Sequence, residues 1–185
     1  MHEINDVGLF IEEWNNMAAY KDETIHGVYI FTHGHDRAIW FGSGNNAISV
    51  DGYNRAGENV LRSLSELNVA NIHGSVHLFS CNSGHLATYY SIKGDGHNFA
   101  SALSLKISGN SSVIGYDGNV GFGPGGIFNS ITGDWKPRLS HSQDSFYTIL
   151  ELREASKRKP RGAQQYINGQ LNNFFMPGGY IKAAP

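Results

Sequence analysis

A chain of 185 residues is long enough to bury a substantial core, and it predicts a single domain over 1–185. With 14 Lys and Arg against 16 Asp and Glu, the net charge of −2 gives no bulk attraction to nucleic acid or anionic membranes. No apolar run is long enough to span a bilayer, and Met1-His2-Glu3-Ile4-Asn5-Asp6 lacks the basic and apolar regions of a signal peptide.

In chain order, Val7, Phe10, Ile11, Trp14, Met17 and Ala18 recur at helical spacing behind Asp6, which predicts an amphipathic helix over 6–20 with an aspartate cap. A β-branched and aromatic run predicts a strand over 26–32, and shorter strands are expected at 38–41 and 47–51. Val60, Leu61, Leu64 and Leu67 predict a helix over 54–68. A strand over 75–80 follows. The stretch 84–96 reads as a loop, with one helical turn at 86–90. Next comes a helix over 97–107 that buries Phe99, Ala102, Leu103 and Ile107 and ends at a Gly109 cap. Residues 112–116 form a third buried strand, followed by a glycine-rich loop over 117–126. Helices are predicted at 143–157, with Phe146, Ile149, Leu150 and Leu152 as the apolar set, and at 163–175. Strands alternating with helices argue an α/β three-layer sandwich.

Two blocks carry the chemistry. Val28-Tyr29-Ile30-Phe31-Thr32 ends at His33-Gly34, and Val76-His77-Leu78-Phe79-Ser80 ends at Cys81-Asn82-Ser83-Gly84. Parallel strands side by side would bring both C-terminal ends to one sheet edge, where open α/β folds place their sites. The separation, 81 − 33 = 48 residues, accommodates one crossover.

Together with the segment Thr32 to Gly42, these blocks resemble the caspase-like cysteine peptidases, over roughly residues 25–120. That superfamily includes legumains, gingipains, clostripain, separase and the self-processing domains of bacterial toxins. The resemblance implies a caspase-like α/β/α sandwich with a mostly parallel sheet. It implies a His33–Cys81 dyad, an oxyanion hole from the N–H groups of Gly34 and Cys81, and no cofactor. Phe79-Ser80-Cys81-Asn82-Ser83-Gly84 stands where caspases proper carry Gln-Ala-Cys-x-Gly, so aspartate specificity is not implied. The implied activity is that of an endopeptidase acting on protein or peptide, as a bacterial effector or a toxin-processing module.

Other readings stand beside this one. Cys81 is the only cysteine, so no internal disulfide forms; a buried structural thiol is its plain role. As a nucleophile it has to stay reduced, which suits the cytoplasm or a host or target cytosol. Asp117, after the third strand, is either a turn residue before Gly118 or a substrate-binding carboxylate selecting arginine or lysine. Asp36 and Asp51 are weaker acidic candidates. His33-Gly34-His35-Asp36 offers a metal-dependent hydrolase using His33 and His35, although Asp36 comes one residue early for the known zinc pattern. His77, alternating within a strand, reads as packed. Arg153, Lys157, Arg158, Lys159 and Arg161 form either a solvated helix end or a site for an anionic activator. The activator reading leans on a loose likeness of 96–99 through 133–135 to toxin-borne domains switched on by inositol hexakisphosphate. A catalytically inactive interaction domain of the same fold is the third class.

Overall fold

The structure is a computed structural model that describes residues 4–20, 25–85, 97–109, 111–116, 128–129, 134–135 and 163–175. The predicted helix at 143–157, the glycine-rich loop, Asp117 and the basic cluster of 153–161 lie outside the described residues.

The first helix, α1 (Val7–Ala19), starts where Asp6 accepts hydrogen bonds from the N–H groups of Gly8 and Leu9 at 2.8 and 3.1 Å. Those bonds satisfy donors that the first turn leaves open. Val7, Phe10, Ile11 and Trp14 are buried, and Phe10 stacks on Phe41 at 4.7 Å.

The larger sheet contains β1 (Ile25–Phe31), β6 (Ile72–Phe79), β7 (Ser112–Tyr116), β10 (Ala163–Ile167) and β11 (Gln170–Phe175), in the order β1-β6-β7-β10-β11. Pairing is parallel from β1 to β6 to β7 and antiparallel beyond. The sheet is therefore mixed rather than mostly parallel.

A smaller sheet orders β2 (His33–Gly34), β3 (Ala38–Trp40), β4 (Ala47–Ser49) and β5 (Arg62–Ser63). A separate two-stranded pair joins β8 (Phe128–Asn129) to β9 (Asp134–Trp135). The molecule is thus an α/β protein with mixed sheets and few helices among the described residues.

One core spans both sheets. Ile30, Val76, Leu78 and Val113 from the larger sheet pack with Ile39 and Ile48 from the smaller one, and with Phe10, Trp14, Phe99 and Leu103 from the helices. The other face of the larger sheet carries Phe31, Phe79, Ile114, Tyr116 and Ala163.

Three expected helices differ. Over 54–68 the chain instead makes a bridge between Tyr53 and Asn59, then β5, then a single 3₁₀ turn at Leu64–Glu66. Leu64 and Leu67 are buried, but Val60 is 44% exposed, so the apolar spacing does not describe one face. Over 163–175 the chain is a hairpin, β10–β11, turning at Asn168 (φ 49°) and Gly169 (φ 77°). Both φ values are positive, as in the tight turns that match strand twist. The helix expected over 97–107 is shorter: α2 (Phe99–Ser104) is capped by Asn98, whose side chain accepts from Ser101 N–H, and it ends well before Gly109.

Candidate active site

β1 and β6 lie side by side and parallel, with Phe31 opposite Phe79. The Thr32 N–H extends the pairing by donating to the Phe79 carbonyl at 3.2 Å. Two residues beyond each partner stand His33 and Cys81, so both follow the same end of adjacent strands. His33 is exposed and Cys81 is half-buried.

The two turns touch. The His33-Gly34 segment leaves the larger sheet to open the smaller one, pairing His33 with Trp40 and Gly34 with Ile39. A β-carbon on Gly34 would collide with Ser80 Oγ and come within 2.9 Å of the Ala38 carbonyl. Glycine is therefore what lets this backbone reach the residue before Cys81. The His35 N–H donates to the Ala38 carbonyl at 2.9 Å, and antiparallel ladders alternate, so the Gly34 N–H faces away from β3.

The cysteine turn is held from within. Asn82 adopts φ 54°, a left-handed conformation that asparagine tolerates better than most residues. The Ser83 hydroxyl donates to the Ser80 carbonyl at 2.9 Å and accepts from the Tyr116 N–H at 3.3 Å. The Ala100 N–H donates to the Ser83 carbonyl at 3.0 Å, and the Gly84 N–H donates to the Tyr116 carbonyl at 2.9 Å. Asn98, buried, donates to the His85 carbonyl and to the Tyr166 hydroxyl, which in turn donates to the Gly84 carbonyl. Strand β7, helix α2 and strand β10 thus hold Ser83 and Gly84, just beyond Cys81.

On the histidine side, His35 is buried against Trp40, with ring centroids 4.7 Å apart. Its Nδ1 lies 2.9 Å from both Asp36 Oδ1 and the Arg37 N–H. A protonated ring donates to the carboxylate, and a neutral ring accepts from the amide. Burial works to raise the Asp36 pKa, but the hydrogen bond and charge of His35, with the charge of Arg55, outweigh it and hold the carboxyl below its ordinary value. Arg37 pairs with Asp51 at 2.9 Å and donates to the His97 carbonyl at 2.8 Å. Asp36 and Asp51 are thereby engaged within the frame, tying the histidine turn to the start of α2. His77 is buried and stacked on Tyr29 at 4.9 Å, and burial pushes its pKa down to about 4.

Among the described residues, no three His, Cys, Asp or Glu side chains gather as a metal site. Within those same described residues, His35 Nε2, Ser49 Oγ and Ser80 Oγ are buried without a hydrogen-bond partner.

The sequence reading missed Ser80, Ser83 and Asn98. Asn98 carried a usable signal, because asparagine three residues before Ser101 at a helix start is a cap pattern. Comparison of the chain with protein-family models, with curated proteins and with solved structures finds no match.

Proposed function

We propose that the chain is a cysteine endopeptidase of the caspase-like kind, with a three-layer α/β/α sandwich as its complete fold. The observation that supports this best is the packing of the Gly34 backbone onto Ser80, which sets a histidine turn and a cysteine turn against each other at one sheet end. In this reading the Cys81 thiol gives up its proton to His33, its Sγ attacks the carbonyl carbon of a peptide bond, and the N–H groups of Gly34 and Cys81 stabilise the resulting oxyanion. The C–N bond then breaks, and the departing amine takes its proton from His33. Water adds to the thioester, expels the thiol and releases the acid.

Labelling with a peptidyl acyloxymethyl ketone, read by mass spectrometry, tests the reading. Covalent attachment at Cys81 together with turnover of a peptide library is expected, and Cys81→Ala should lose both while melting like the parent. A thiol that takes no label would mark an interaction domain. Activity lost with zinc on exhaustive EDTA treatment would mark a metal hydrolase.

A further inference from the structure

Ser80 is fully buried, yet its hydroxyl has no hydrogen-bond partner among the described residues. Burying an unspent hydroxyl costs stability, and native proteins satisfy nearly all such groups, so each exception calls for a physical reason. Its surroundings supply one. Ser80 Oγ lies well inside van der Waals contact of the place where a β-carbon on Gly34 would stand, and Ser80 is joined by a peptide bond to Cys81. The Ser80 N–H donates to the Leu78 carbonyl at 3.0 Å, and the Ser80 carbonyl accepts from the Ser83 hydroxyl and N–H at 2.9 and 3.4 Å. The backbone of Ser80 is therefore anchored on the cysteine side, while its side chain abuts the histidine side.

We infer that Ser80 is a positioning residue: its hydroxyl is the spacer that sets the distance between the Gly34 backbone and Cys81. The inference rests on the peptidase reading above and adds to it a residue that acts through Gly34. Oxyanion donors work only at close, defined range, so a spacer one atom shorter would let the Gly34 amide drift from the position of developing charge. Alanine keeps the β-carbon and removes only the spacer. Because the deleted hydroxyl was unsatisfied, the variant loses no hydrogen bond.

The test is Ser80→Ala in the full chain, measured four ways. The melting temperature should stay equal to the parent's or rise. Alkylation of Cys81 by iodoacetamide, which needs no oxyanion hole, should proceed at the parental rate. Peptide hydrolysis should fall about tenfold or more in kcat, with KM changed by less than about twofold. Finally, Gly34→Ala/Ser80→Ala should melt above Gly34→Ala alone, because removing Oγ relieves the collision. A parent that is active with a Ser80→Ala variant of equal kcat would overturn the spacer role alone. So would a parallel fall in alkylation, which would place the effect on the thiol, and so would a double variant no more stable than Gly34→Ala. A parent that neither hydrolyses peptides nor takes the ketone label would overturn the peptidase reading, and this inference with it.

Discussion

At Gly34 a single missing side chain joins the two halves of the site. Gly34→Ala drives a methyl group into Ser80 Oγ and toward the Ala38 carbonyl, and overpacking of this kind costs about 1–3 kcal/mol. Thermal melting should show that loss, and, on the peptidase proposal, hydrolysis should fall further than stability alone accounts for. Ser83 provides a second check. Without its hydroxyl the Tyr116 N–H and Ser80 carbonyl lose a buried partner, so Ser83→Ala should lower the unfolding free energy by about 1–3 kcal/mol in urea titrations. At this scale the placement of His33, Gly34 and Cys81 just past adjacent strands was legible, since each ends or follows an apolar run and breaks its pattern. Ser83 was not, and Asn98 was legible only as a cap. Their partners Tyr116 and Tyr166 stand 116 − 83 = 33 and 166 − 98 = 68 residues away, and a polar side chain shows its role only once the fold has brought such partners together.

Among the elements, β6 carries a pH prediction of its own. His77 is stacked between neighbours on β1 and within β6, and burial holds its pKa near 4 in the folded state, against 6.5 for the ordinary group. A depressed pKa means that the unfolded chain binds the proton more readily. The stability contribution is therefore intact above pH 6.5 and declines as pH falls toward 4, by up to about 3 kcal/mol. His77→Phe keeps the stacking and removes the titration, so its urea midpoint should be nearly flat across that window while the parent's falls. The Asp36 carboxyl acts in the same direction at lower pH, below 3.8, as it loses its advantage beside His35.

Strands β1, β3, β4, β6 and β7 were legible because their apolar runs are short and end at turn residues. The two lost helices show where periodicity misleads. Over 54–68 the side chain of Asn54 closes a local loop by accepting from the Glu58 N–H at 2.9 Å, which helical spacing does not register. Over 163–175 the dipeptide Asn168-Gly169 is itself a strong hairpin signal that the helix expectation did not take up.

For the whole molecule, the antiparallel addition of β10 and β11 extends a parallel trio. Tyr166 and Ala163 are buried, and Gln164 is fully buried beside them, so the hairpin is part of the core rather than an appendage. A chain truncated after residue 162 should lose its cooperative thermal transition and expose the unpaired edge of β7, which aggregation assays would register.

The sheet arrangement also has a consequence in time. Phe31 meets Phe79 across 79 − 31 = 48 residues, and Tyr116 meets Ala163 across 163 − 116 = 47, whereas β2, β3 and β4 pair with near neighbours in sequence. Distant pairings close slowly, because the entropy of a long loop is lost before its contacts form. The small sheet carrying His33 can therefore assemble early, while the cysteine turn waits for β1, β6, β7 and β10 to find one another. A refolding chain should regain part of its circular dichroism before Cys81 regains its native rate of alkylation, and the interval between the two measures how late the last strand arrives.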